Sequence, residues 1–198
     1  LADAGNRLCR KYGWPTHERQ AYRYFVGNGI PKLVERLAPA DQRTPAVLEA
    51  ALADFKRDYG QHLRDTTAPY PGIPEMLAKL KANGVQLAVF SNKADALAKE
   101  VVKDYFGTQY FTIVRGQMTG VAPKPAAEGT NALLQALHAD PASTLYVGDS
   151  NVDVETAHNA NLPCCGAVWG FRTREELNAA GAEYLAENSD ELYDVIMK

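Results

Sequence analysis

From Ile73 to the C terminus the chain alternates between helix-period stretches and short apolar runs, and this rhythm limits its possible folds more than any other feature. A helix carrying Ile73, Leu77 and Leu80 is stopped by Asn83-Gly84 and followed by the run Val85 to Phe90. The cycle recurs as a helix over 94–104, the run Phe111 to Val114, a helix over 126–138, the run Thr144 to Val147, a helix over 152–159 and the run Cys165 to Val168. Repetition of this kind predicts an α/β fold, with a parallel sheet whose strands are joined through helices. Its crossovers are expected to be right-handed, and its ligands to bind beyond the carboxyl ends of the strands.

The first 70 residues follow another pattern. Leu48, Leu52, Phe55, Tyr59 and Leu63 recur every three or four positions, behind Thr44 as a cap and Pro45 as first helical residue. Helical signals run throughout, up to the turn cluster Ala68-Pro69-Tyr70-Pro71-Gly72. Charge divides at the same place, with net +3 over residues 1–70 and net −6 over 71–198. Two modules are therefore expected, 1–69 and 70–198.

Composition narrows the function. With 46% hydrophobic and 23% charged residues the chain has a globular make-up, and a net charge of −3 gives no basic footprint for nucleic acid. No apolar run approaches bilayer-spanning length and no secretory signal opens the chain, so the expectations are no membrane partner and a cytoplasmic location. Cys9, Cys164 and Cys165 match neither a disulfide framework nor a zinc spacing and read as reduced thiols, and the four histidines stand apart from one another. The chain opens on Leu1, not Met, inside a helical pattern, so a preceding segment is expected.

Chemistry-bearing residues gather at three strand ends: Ser91-Asn92, Lys124 between Pro123 and Pro125, and Gly148-Asp149-Ser150-Asn151-Val152-Asp153. Each has a plain structural reading: Ser91 as a helix cap, Lys124 as a solvated loop charge, and the two aspartates in a turn and the first turn of a helix. Together they have a chemical one. A Ser hydroxyl, the backbone amides after it and a lysine suit phosphate oxygens, while Asp149 and Asp153, four residues apart, can turn toward one hard cation. Magnesium takes one or two protein carboxylates with phosphate oxygens and water. Gly148 lets the backbone come close, and the flanking prolines restrict Lys124.

These motifs resemble those of the haloacid dehalogenase superfamily, and within it the phosphoglycolate phosphatase-like branch. The strand Val85 to Ser91 is similar to the second motif, Lys124 to the third, and Gly148 to Asp153 to the fourth, GDSxxD. Tyr70-Pro71-Gly72 and Trp169-Gly170 also look like family features. The resemblance implies a three-layer Rossmann-like parallel sheet core with an all-helical cap domain over 1–69. It also implies a magnesium-dependent phosphatase acting on a small phosphorylated metabolite such as phosphoglycolate. Ser91, Asn92 and Lys124 would bind the phosphoryl group, with Ser91 and Lys124 catalytic, and Asp149 and Asp153 would serve the Mg2+. In the cap, Gly27-Asn28-Gly29 before a helix over 31–37 would offer amides to the leaving group.

The family's first motif, DxDGT, has no counterpart, since no two aspartates here are separated by one residue. By resemblance its first Asp attacks phosphorus and its second protonates the leaving group, so the nucleophile is expected to precede Leu1 and residues 1–198 alone to be inactive. The strand carrying that motif would lie centrally, between the strand ending at Val147 and the one ending at Phe90, leaving two edges unpaired. Three rival readings stand beside the phosphatase. A metal-independent dehalogenase would have a different fourth motif, and a signalling receiver domain would end soon after Lys124. An inactive relative would bind phosphorylated metabolites without turnover.

Overall fold

The computed structural model describes residues 1–198, and their contacts divide after Ala68 into two units, Leu1–Ala68 and Pro69–Lys198. Only helices form the first: α1 (Ala2–Tyr12), α2 (Tyr22–Phe25), α3 (Ile30–Leu37) and α4 (Pro45–Gln61), with two short 3-10 turns. Thr44 starts α4 by accepting the Val47 N–H at 3.4 Å, and Pro45 follows at the first turn, where its missing N–H costs nothing. The buried row of α4 is Ala51, Phe55 and Tyr59, spaced by four, and it packs against α1 and α3 with Leu8, Leu33, Val34 and Leu37. Leu48 and Leu52, expected in that row, lie at its partly buried margin. The outer side of the α1–α4 seam is charged: Arg7 grips Asp58 through two nitrogens and Lys11 meets Asp54 at 2.6 Å.

The second unit opens with α5 (Ile73–Ala82), which buries Met76, Leu77 and Leu80 and ends at Asn83-Gly84. It leads into β1 (Leu87–Ala94), then α6 (Asp95–Phe106), β2 (Phe111–Gln117), α7 (Glu128–Leu137) and β3 (Tyr146–Gly148). The chain continues through α8 (Asn151–Asn159), β4 (Cys164–Ala167), α9 (Arg174–Ala179), β5 (Tyr184–Ala186) and α10 (Ser189–Ile196). Every strand pairing is parallel, as the alternation predicts. The short β5 and α10 carry no strong pattern of their own, though Asn188 caps α10 by accepting the N–H groups of Asp190 and Glu191.

The alternation predicts one parallel sheet, and the missing first motif predicts a gap in it between the strands ending at Phe90 and Val147; the structure has two ladders divided there. β1 pairs with β2, and β3–β4–β5 form a separate ladder, so one edge of β1 and one edge of β3 have no strand beside them. β4, paired on both sides, is buried along its whole length. Its alternate side chains enter different clusters: Cys165 packs with Met76, Leu77, Leu80, Ala186 and Leu192, and Cys164 with Val154, Ala157, Leu162 and Leu177. Helices therefore cover both faces of β4. All three cysteines are free thiols, and no helix is long and apolar enough to cross a membrane.

Candidate active site

The C-terminal ends of β1 and β3 meet through Lys124. Within β1 the side chains of Phe90 and Asn92, two positions apart, both engage this residue. The Phe90 ring lies 5.9 Å from Nζ, and the Asn92 carboxamide holds the Lys124 backbone, accepting its N–H at 2.8 Å and donating to its carbonyl at 3.2 Å. Nζ then donates to Asp153 Oδ1 at 2.6 Å. Sequence reasoning expects a solvated loop lysine between two prolines. The structure corrects this: the side chain is only 12% exposed, because Asn92 draws the loop onto the end of β1 and Asp153 supplies a buried counter-charge. Burial pulls the Lys124 amine toward neutrality, but Asp153 and Tyr146 outweigh it, and its pKa lies above the ordinary lysine value. Burial likewise pushes the neighbouring Tyr146 hydroxyl up to about 12.

Beyond β3 the turn Gly148–Ser150 delivers both acids. Ser150 and Asp153 form a capping box at the start of α8. Asp153 Oδ2 accepts the Ser150 hydroxyl at 2.6 Å and the N–H groups of Ser150 and Asp149 at 3.1 and 3.2 Å. With Lys124 on Oδ1, four donors surround this carboxylate, which makes Asp153 the hub of the site. Asp149 Oδ2 accepts the Phe171 N–H at 3.2 Å, and the Asp149 carbonyl accepts that of Arg172 at 3.0 Å. Burial first, and then the Asp153 charge, hold the Asp149 carboxyl above the usual aspartate range.

Two glycines make this packing possible. A Cβ on Gly148 would fall 2.1 Å from Asp153 Cβ, and one on Gly170 would fall 2.1 Å from Asp149 Cβ, both far inside contact distance. Neither glycine has a positive φ, so each is required by its neighbour's volume. Gly148 is readable from the motif. The roles of Gly170 and the Phe171 amide depend on a return of the chain from over 20 residues away, which no local spacing announces.

No three His, Cys, Asp or Glu side chains gather into a cage, and the acids at this strand end are the two aspartates Asp149 and Asp153. That pair fits magnesium, which needs few protein carboxylates and takes water and phosphate oxygens for the rest.

Ser91 directly precedes Asn92, and its Oγ accepts the Lys93 N–H at 3.1 Å. The same strand end carries Lys93, whose amine burial lowers to about 8. Asn92, Lys124, Asp149 and Asp153 are joined by the contacts above. Gly27, Asn28 and Gly29 belong to the other unit, in the loop before α3. There Arg36 donates to Asn28 Oδ1 at 2.9 Å and to the Phe25 carbonyl at 2.9 Å, fixing the loop, and Gly29 (φ 85°) opens the helix without a side-chain cap.

Comparison with known proteins gives consistent results. A sequence profile described as haloacid dehalogenase-like hydrolase matches residues 1–167. The plasmid-encoded phosphoglycolate phosphatase of Cupriavidus necator is 30% identical over 193 residues, covering 97% of this chain and 84% of its own. The phosphoglycolate phosphatase of Chromobacterium violaceum is 29% identical over 199 residues, covering 99% and 88%. A crystal structure from Lactobacillus delbrueckii subsp. bulgaricus, provisionally assigned to the phosphoglycolate phosphatases, superimposes with a TM-score of 0.92 at 25% identity, covering 98% of this chain and 90% of that one.

Proposed function

The chain belongs to the haloacid dehalogenase-like hydrolases, and from that premise we propose that it serves a magnesium-dependent phosphatase of small phosphate monoesters of the phosphoglycolate kind. The observation that carries the reading is the buried Lys124–Asp153 ion pair at 2.6 Å, with Asp149 beside it, at the C-terminal ends of two parallel strands. A lysine so placed is a fixed positive charge for a phosphoryl group, and a second buried acid, Asp149, lies beside the acid that caps α8.

In this reading Lys124 and Ser91 Oγ bind the transferring phosphoryl oxygens, together with the Asn92 backbone N–H. Asp149 and Asp153 would hold Mg2+, Asp153 also anchoring Lys124. Bound magnesium supplies neutralisation of the charge that develops on the phosphoryl oxygens. The buried turn Gly148–Asp153 and the Phe171 amide keep the acids in place while the substrate changes, so little reorganisation accompanies reaction. The nucleophile is an aspartate on a segment outside residues 1–198, which enters beside the unpaired edges of β1 and β3. It attacks phosphorus and breaks the bond to the ester oxygen, which takes a proton from the second aspartate of that motif and leaves as the alcohol; water then hydrolyses the aspartyl phosphate to phosphate. Names of the relatives, the charge of the site and the two open strand edges support this account.

Assay with phosphoglycolate and a panel of other phosphate monoesters, in magnesium or in excess chelator, tests it. Residues 1–198 alone should show no turnover, and the chain joined to its nucleophile-bearing segment should show turnover that chelator abolishes. Halide release from a 2-haloacid in chelator would replace the phosphatase with a dehalogenase, and phosphate binding without turnover in any form would leave an inactive relative.

A further inference from the structure

Lys124 lies in a loop between two prolines, neither of which has an N–H to donate, and outside any strand ladder. Its own N–H and C=O are nevertheless both paired, and one side chain does it. Asn92 Oδ1 accepts the Lys124 N–H at 2.8 Å while Asn92 Nδ2 donates to the Lys124 carbonyl at 3.2 Å. The carboxamide thus stands in for a neighbouring strand, extending β1 sideways by one residue. A primary amide carries its donor and its acceptor on one carbon, spaced to meet the N–H and C=O of a single residue, and the shorter Asn holds the partner close to the strand. The turn closed by Ala126 N–H to the Pro123 carbonyl, at 3.0 Å, fixes the loop from its other side. From this backbone anchor the lysine side chain runs past the Phe90 ring to Asp153, and the ring itself occupies space that a side chain at Gly129 would claim.

We propose that the Asn92 carboxamide is a positioning residue: it sets the Lys124 main chain so that the ammonium reaches both Asp153 and the phosphoryl group. This rests on the phosphatase reading above and adds to it a division of labour within Ser91-Asn92, with the hydroxyl and the backbone turned to the ligand and the carboxamide to the lysine. Asp in place of Asn keeps an acceptor for the Lys124 N–H but turns a second acceptor on the Lys124 carbonyl, so Asn92→Asp is a graded substitution and Asn92→Ala a full one.

The test joins amide exchange of Lys124 by NMR to titration with inorganic phosphate. In Asn92→Ala the Lys124 N–H should exchange about tenfold faster, the equilibrium worth of one hydrogen bond, while Asn92→Asp falls between that and wild type. The Gly116 N–H, held by Asp95 Oδ1 at 2.9 Å, should be unmoved in both and reports that β1 and β2 remain folded. Phosphate should bind Asn92→Ala about tenfold to a hundredfold more weakly, the scale of a misplaced group, whereas partial unfolding would lower the bound fraction and leave the affinity of the remainder unchanged. Unchanged Lys124 exchange overturns the clamp. Faster exchange with unchanged phosphate affinity overturns the positioning role alone, and a wild-type chain that takes up no phosphate overturns the phosphatase reading and the role together.

Discussion

Val147 and Cys165 sit on one rung of the β3–β4 ladder, yet Val147 is 39% exposed and Cys165 is 0% exposed. Both come from short apolar runs of similar composition. They differ in what lies alongside: β4 has a strand on each side and helices on both faces, whereas β3, like β1, is paired on one side only. Burial in this unit follows the completeness of strand pairing more closely than residue hydrophobicity. The candidate site follows the same comparison, because Lys124, Asp149 and Asp153 cluster at the ends of β1 and β3, two of the four strands paired on one side only, and none lies at β4. An unpaired parallel edge also exposes a row of N–H and C=O groups to any extended chain that approaches.

The contrast can be broken most forcefully at Lys124. Removing it leaves Asp153 buried without its cation, so Lys124→Ala should cost about 3–5 kcal/mol in denaturant unfolding. A loss below about 0.5 kcal/mol, the usual scale of a surface change, would mean that the lysine is solvated after all. Next is Gly170→Ala, whose added methyl must displace Asp149; overpacking of this sort costs about 1–3 kcal/mol. Magnesium affinity measured by calorimetry should fall alongside, and an unchanged affinity would separate the Gly170 turn from the acid site.

The rung itself offers a matched pair. Cys165→Ser puts a hydroxyl between two helix-covered faces and should cost about 1–3 kcal/mol, while Val147→Ser on the open strand should cost less than half as much. Equal losses would remove the link between pairing and burial. The gentlest test is pH. Lys93, near the open end of β1, has a folded pKa of about 8 against 10.5 in the unfolded chain, so the unfolded state holds the extra proton between those values. Stability should therefore rise as pH climbs from 8 toward 10.5, and Lys93→Met should flatten that rise. A wild-type curve that is level or falling there would place the Lys93 amine in water.

The helix–strand alternation was legible because its signals are local: Asn83-Gly84 stops α5, Thr44 starts α4, and Gly148 to Asp153 packs a strand end, a cap and two acids into six residues. Strand limits were less so, since β1 runs on to Ala94 across an irregular stretch, with no rung on β2 between Phe90, opposite Arg115, and Ala94, opposite Gln117. The break between β1 and β3 falls where the missing first motif leaves its gap, whereas β5, at three residues, is a strand because β4 is beside it. In the site, residue types could be read, but the burial of Lys124 could not, because flanking prolines say nothing of an asparagine 32 positions earlier.

Gly148 and Gly170, each lying against a carboxylate, have a consequence for inheritance. Both have ordinary backbone angles, so a one-base change to alanine or serine violates no conformational rule at the site where it occurs. In a saturation library selected for activity, these two positions should lose their smallest substitutions as completely as their largest. Second-site survivors should be found not beside the glycine in sequence but among the residues packed around the two acids, where new room lets the carboxylates shift without being replaced.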